Sequence, residues 1–535
     1  MKKKFTLLLF AILSLTMGVN AQSPLTFQWA HSVDGNTSAG DNVLGMCKSS
    51  TGGYFVATAF GSSSSQTDAL GVWLDGEESD EIEGSPYTGT SQNNNLVLQK
   101  VATDGTIEWT AFTDKGDVDN TATQIAATPD GGAILAVKCR AWVEAVDLKN
   151  LLEYESPNGE TQVKNGNPVK GEYKYVILKV NSEGEVDWCR VISGLVKTDA
   201  DTGRSTVDNA YINGLTVDEQ GNIFISGNYR TELNIPKDAN GNVETLVAKN
   251  SLLWDGKAAA AWTGDPQMVV GDLFLIKLDS NGYFVKSLLA DGTAKCAFLD
   301  NVVCNDGKLY LTGRVQGDGT AMSIGGKSLT ASADYQTQIL LSVNTSDLTV
   351  NYLNALTSVP NSSNRFVIQN KSAQYLNGKV YFTGLLNGGL RNEGATSDLI
   401  NNNGTLLKGY VLQLDPTTGS VSNAAIRTAG GIGGFFGVYE NSSSLYAFGY
   451  DFSAGAVLVP IDKSTFTVGT ATTVCSFGTV ANAVMPIVDG SNVILANRGG
   501  KARVTDNVAS FYGTDFTLGN IKYWGSVYYS FKVSE

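Results

Sequence analysis

Apolar runs of strand length, bounded by Gly, Asp, Asn or Ser, follow one another along nearly the whole chain. One type recurs seven times: "GYFVATAF" from Gly53, "GAILAVKC" from Gly132, "GNIFISGN" from Gly221, "GKLYLTGR" from Gly307, "GKVYFTGL" from Gly378, "SLYAFGYD" from Ser444 and "SNVILANR" from Ser491. Turn residues such as "TPDGG", "DEQGN" and "CNDGK" precede these runs, and another apolar run precedes each turn. Asp-Gly and Asn-Gly between apolar runs signal a hairpin. A second hairpin follows the first in six cases: "LVLQKVATDGTIEWT", "YVILKVNSEGEVDWC", "LFLIKLDSNGYFVKS", "ILLSVNTSDLTVNYL", "YVLQLDPTTGSVSNA" and "VLVPIDKSTFTVGTA". Two hairpins make a four-stranded antiparallel meander. No segment shows a useful helical period.

The ends of the chain complete this pattern. After the seventh first-type hairpin, "YYSFKVSE" supplies one strand from Tyr528 to Glu535, and its partner is missing. Near the start, "FQWAHSVDG" from Phe27 to Gly35 is a fourth strand without its hairpin. Pairing the two completes a seventh meander and leaves no open edge. The expected fold is all-β: a seven-bladed β-propeller of four-stranded antiparallel blades, its ring closed by the N-terminal strand pairing with the C-terminal strands. A single domain over 22–535 exceeds seven minimal blades of ~40–50 residues, and the surplus falls in insertions at 61–95, 141–174, 231–272 and 500–527.

The repeats resemble the bacterial secreted seven-bladed propeller repeat, the SBBP family. Its pattern G-N-x-Y-V-x-G, then D-x-F-V-x-K-x-D-x-x-G-x-x-x-W, matches Gly221–Gly227 and Asp272–Gly282. Its lysine recurs at Lys100, Lys179, Lys277 and Lys532, and its tryptophan at Trp29, Trp109 and Trp188. The resemblance implies the propeller fold and no shared chemistry. "VATDGTIEW" also resembles the tryptophan docking motif of quinoprotein propellers, but with one residue fewer in the turn. The tryptophan column is therefore read as packing between blades.

The segment "MKKKFTLLLFAILSLTMGVNAQ" has a basic start, an apolar run too short to span a bilayer and small residues before Ala21. It reads as a signal peptide, residues 1–21, cleaved after Ala21. The expected location is exported: periplasmic, outer-surface or secreted. Removing Lys2, Lys3 and Lys4 takes the formal charge from −14 to −17. That acidity argues against a nucleic-acid partner. No other run is long enough for a transmembrane helix, and a monomer is expected. Cys47, Cys139, Cys189, Cys296, Cys304 and Cys475 lack zinc-type spacing and are expected to be mostly unpaired. The only histidine, His31, alternates with strand residues and reads as structural.

The insertions carry Trp73, Trp142, Trp254, Trp262 and Trp524, all between the second and third strands of their blades and hence on one face. Such aromatics stack on sugar rings or meet a protein partner; alternatively they plug the insertions onto the ring. Arg140, Arg230 and Arg314, with Arg498, end second strands and suit a carboxylate or sulfate, or else pair with the acidic surplus. Asp-Asn pairs at Asp41, Asp119 and Asp208 are weak Ca²⁺ candidates; the alternative is turn capping. "LDNVV" at Asp300 falls too close to its turn to be equivalent. No catalytic residue and no cofactor, beyond that Ca²⁺, is assigned. The favoured function is an exported non-catalytic binding or scaffold module of a bacterial cell envelope, offering its tryptophan-bearing face to a glycan or envelope protein. The alternative is a polysaccharide hydrolase or lyase, with "DGEESDEIEG" from Asp75 as a source of paired carboxylates.

Overall fold

A computed structural model describes residues 24–35, 41–62, 72–75, 77–78, 93–114, 118–139, 144–145, 174–194, 196–198, 205–207, 210–229, 232–242, 244–247, 272–332, 334–452, 454–475, 484–498, 508–518 and 525–534. Among these there is no helix, and so none long and apolar enough to cross a membrane. The leader lies outside the described residues.

The strands pair as seven antiparallel meanders. Meander 1 comprises Asn42–Lys48, Tyr54–Ser62, Asn93–Val101 and Ile107–Asp114. Meander 2 comprises Val118–Ala127, Ala133–Cys139, Lys174–Val180 and Val186–Gly194. Meander 3 is Tyr211–Val217, Ile223–Tyr229, Asp272–Leu278 and the start of the long strand Phe284–Asn305. Meander 4 takes the rest of that strand, then Lys308–Ile324, Thr337–Asn344 and Val350–Val359. Meander 5 is Val367–Leu376, Lys379–Asn392, Lys408–Leu414 and Val421–Ile426. Meander 6 is Gly433–Glu440, Leu445–Asp451, Gly455–Ile461 and Thr472–Cys475. Meander 7 is Ile487–Asp489, Asn492–Arg498, Ser526–Val533 and then Leu25–Gly35, which pairs from Leu25↔Val533 to Val33↔Ser526. The two ends of the chain share one sheet, as the unmatched strands predict.

Apolar clusters lie between consecutive meanders. Phe55 and Leu98 meet Leu135 and Leu178; Ile134 and Ile177 meet Ile223 and Phe274; Phe224 and Leu275 meet Leu311 and Leu341. Leu340 meets Phe382, Tyr381 meets Val438, and Phe448 meets Val493 and Phe531. A further cluster joins Ile494 and Tyr528 of meander 7 to Val43 and Val56 of meander 1. Alternate residues of one strand thus serve two neighbours, so the middle strands bury both faces. Ile223–Tyr229 and Asp272–Leu278 are buried throughout. This is why such strands read as continuous apolar runs rather than alternating ones.

The tryptophan column fastens neighbours together. The indole N–H of Trp29 donates to the Thr103 carbonyl at 3.4 Å, that of Trp109 to Ser182 at 2.8 Å, and that of Trp188 to Ser280 at 3.1 Å. Each bond runs from a fourth strand to the third-strand turn of the next meander, and Trp29 makes it from meander 7 to meander 1. Lys277 does similar work, donating to the carbonyls of Thr345 and Ser346 at 2.8 and 3.1 Å.

The insertions differ from free loops where they are described. Val72–Leu74 pairs with the end of Leu25–Gly35, Glu144–Ala145 with Thr113 and Asp114, and Glu232–Asn234 with Ser193 and Gly194. Val508–Phe511 pairs with Cys475. Extensions of second strands repeat this: Met322–Ile324 pairs with Ala290–Gly292, and Gly389–Asn392 with Leu356–Val359. The segment after the second strand therefore reaches back and covers the outer edge of the preceding meander, where unpaired backbone groups would otherwise lie open. Meander 6 differs, with a short link between Asp451 and Gly455.

Cys47, Cys189 and Cys304 form no disulfide, and Cys475 is a thiol against the Tyr529 hydroxyl. Burial raises the Cys189 and Cys304 thiols to about 12, so both are protonated and unreactive at neutral pH. Cys139 and Cys296 have side chains outside the described set.

Candidate functional site

Among the described residues, five first strands carry the same irregularity. One residue is skipped in the pairing between Val43 and Gly45, Ile212 and Gly214, Leu299 and Asn301, Asn370 and Ser372, and Phe435 and Gly437. These are one-residue β-bulges, a device that re-aims a side chain. The extra residues are Leu44, Asn213, Asp300, Lys371 and Phe436.

The bulge explains the glycine of "FISGN", "YLTGR", "YFTGL" and "YAFGY". A Cβ on Gly227, Gly313, Gly384 or Gly449 would lie 1.9, 2.2, 2.0 or 1.9 Å from the carbonyl oxygen of Tyr211, Phe298, Gln369 or Gly434. Only glycine permits that approach.

In three meanders the residue after the glycine matches the bulge residue of its own meander. In meander 3, Asn213 Nδ2 donates to Asn228 Oδ1 at 3.1 Å and to the Leu299 carbonyl at 2.9 Å. In meander 4, Arg314 grips Asp300 with Nε at 2.9 Å and Nη2 at 2.8 Å. In meander 6, Phe436 stacks on Tyr450 with ring centroids 5.3 Å apart. Amide meets amide, acid meets base, ring meets ring.

The charged pair is the centre of a network between meanders 4 and 5. Arg314 Nη1 also donates to the Ile368 carbonyl at 3.2 Å, and its guanidinium sits over the Phe298 ring. Asn370 Nδ2 donates to Asp300 at 2.7 Å. Gln338 Nε2 and the Tyr410 hydroxyl both donate to Asn370 Oδ1. Desolvation holds the Tyr410 hydroxyl protonated far above its usual range, which suits its role as donor.

Meander 5 breaks the matching rule. Its bulge residue is Lys371, and the residue after its glycine is Leu385, which packs on Gly434 of the next meander. Lys371 is exposed to solvent and follows Asn370, whose amide bonds Asp300. Desolvation lowers the amine below its usual value; repulsion from Arg314 adds to this, and Asp300 opposes it.

In meander 6 the stack continues outward. Tyr450 meets Phe452 edge-on at 5.1 Å, and Phe452 is 59% exposed. The ladder climbs from a buried ring to a free one beside the short link.

Of the residues singled out from the sequence, Arg314 lies in this network, with Asp300 against its charge. Asp41 is fully buried and accepts the Gly35 N–H at 2.7 Å, a capping role. Among the described residues no group of three or more metal-ligating side chains gathers. Trp73 has its backbone in the edge strand opposite Asp34, and Asp119 lies in the first strand of meander 2. The side chains of both fall outside the described set, as do Arg140, Arg230, Trp142, Trp254, Trp262, Trp524 and Asp208 altogether. The carboxylate run from Asp75 is described in small part. Its Asp75 holds His31 Nδ1 at 2.7 Å, while Nε2 meets the Gly105 carbonyl at 2.7 Å. Sequence does not single out Asp300, Lys371, Phe436 and Phe452 as ligand contacts; the varying residue after the repeated glycine (Asn228, Arg314, Leu385, Tyr450) marks only the positions opposite the bulges.

No family model matches the chain, and no curated protein matches it. Solved structures do. A quinohemoprotein alcohol dehydrogenase from Comamonas testosteroni is similar at 12% identity, covering 96% of this chain and 78% of that one, with a TM-score of 0.36. A protein of unknown function from Dyadobacter fermentans shows 8% identity, coverage of 77% and 94%, and a TM-score of 0.37. A europium-containing methanol dehydrogenase shows 10% identity, coverage of 97% and 94%, and a TM-score of 0.35. Likeness this distant transfers no chemistry to the site.

Proposed function

We propose that the seven meanders are the blades of a closed β-propeller, and that the chain is an exported, non-catalytic binding or scaffold module of a bacterial cell envelope. Support for closure comes from the cluster shared by meanders 7 and 1 and from the Trp29 bond across that junction. Support for a scaffold comes from insertions that cover sheet edges.

The observation that carries ligand binding is the ladder Phe436–Tyr450–Phe452. Its outer ring is exposed beside the short link of meander 6, on the side where the other meanders carry insertions. A free aromatic face backed by further rings suits the apolar face of a sugar, or an apolar side chain of a protein partner. The net charge of −14 disfavours nucleic acid.

The test is a glycan array and an envelope pull-down with the parent protein, followed by Phe452→Ala and Tyr450→Ala. Stacking contributes on the order of 0.5–1.5 kcal/mol beyond area burial, so each variant is expected to bind several-fold more weakly. Phe452 is exposed, so its loss leaves the fold intact. Full affinity in both variants contradicts the reading.

A further inference from the structure

Lys371 is a cation placed where its meander supplies no matching group. The polar and aromatic bulge residues elsewhere are met, Asn213 by Asn228, Asp300 by Arg314 and Phe436 by Tyr450, while the apolar Leu44 packs against the cluster between meanders 1 and 2. At Lys371 the corresponding residue is Leu385, and among the described residues no hydrogen-bond acceptor or carboxylate lies within bonding distance of its amine. Asp300 is the nearby acid, but Arg314 holds both its oxygens and Asn370 one of them. Arg314 in turn is committed to Asp300 and the Ile368 carbonyl. A solvent-reached ammonium at the bulge, next to an Asp300 whose oxygens are already taken by Arg314 and Asn370, is paired by an arriving anion.

We propose that the Lys371 amine anchors an oxyanion, a carboxylate, sulfate or phosphate group, at the inner strands of meanders 4 and 5. Two sources present this chemistry: a free inorganic ion, and an acidic sugar whose ring would lie toward the aromatic ladder of the neighbouring meander 6. The second source rests on the glycan reading above; the anion site does not.

Thermal unfolding in sodium sulfate, against sodium chloride at equal ionic strength, reads the site directly. Sulfate is expected to raise the midpoint of the parent above the chloride value. Lys371→Met is expected to fold, because it keeps an unbranched stem and removes an unmatched charge, and to lose the sulfate increment. Lys371→Arg is expected to keep it. An equal sulfate increment in parent and Lys371→Met overturns the site. Calorimetric titration with oligogalacturonate and with its carboxyl-reduced form separates the sources. At least tenfold weaker binding of the acidic form by Lys371→Met, with no change for the reduced form, assigns the acidic sugar. Equal binding of both forms by the parent overturns that source. If Phe452→Ala leaves sugar affinity unchanged while Lys371→Met abolishes the sulfate increment, the aromatic reading fails and the anion site stands.

Discussion

His31 ties three parts of the chain at one point. It belongs to the N-terminal strand, holds the Asp75 carboxylate on one nitrogen and meets the Gly105 carbonyl of meander 1 on the other. Desolvation works against the imidazolium, but the bond and charge of Asp75 with the Gly105 carbonyl outweigh it and raise the pKa above 6.5. The folded value exceeds the unfolded one, so this stabilisation is complete below about pH 6.5 and fades as pH rises through the folded value. The midpoint difference between parent and His31→Gln is therefore expected to be largest in mild acid and to shrink toward alkaline pH. A difference independent of pH refutes the charged role. The strand alternation marks His31 as structural, and this much is legible in sequence. Its partner is not, because Asp75 is 44 residues away, in a turn with positive φ that no local pattern ties to the strand.

Insertions act as edge covers at the scale of elements. Glu232–Asn234 pairs with Ser193 and Gly194, and Leu233, Ile235 and Leu246 are buried in the cluster between meanders 2 and 3. Replacing residues 231–271 with a tight turn is expected to cost at least ~2 kcal/mol, the lower bound for losing one buried leucine. It should also expose the Ser193–Gly194 edge to hydrogen exchange and promote aggregation through that edge. Unchanged stability and unchanged protection along the Ser193–Gly194 edge would show the insertion to be decoration. Repeated runs and Asp-Gly turns make the hairpins legible, since each is a local signal. The bulges are not: one extra residue shifts the period-2 pattern, and Asp300 then fits neither the turn nor the strand template. Pairing such as Ser193↔Asn234 is equally hidden, because it joins one repeat to the insertion of the next.

On the scale of the whole molecule, an unmatched strand at each end of the sequence is the informative feature. Leu25–Gly35 lies between Ser526–Val533 and Val72–Leu74, supplies Trp29 to the junction with meander 1, and lends Leu25 and Ala30 to the cluster with meander 6. One strand thus holds the last junction from both sides. The ligand is not legible at this scale, because the aromatic ladder and Lys371 depart from the repeat instead of following it. The most direct test of the closed ring is denaturant unfolding of a variant lacking residues 22–35. Loss of the single cooperative transition, with a shallower slope or aggregation through the bare edge of Ser526–Val533, is the predicted result. A single transition with the midpoint and slope of the parent would contradict closure by the shared sheet.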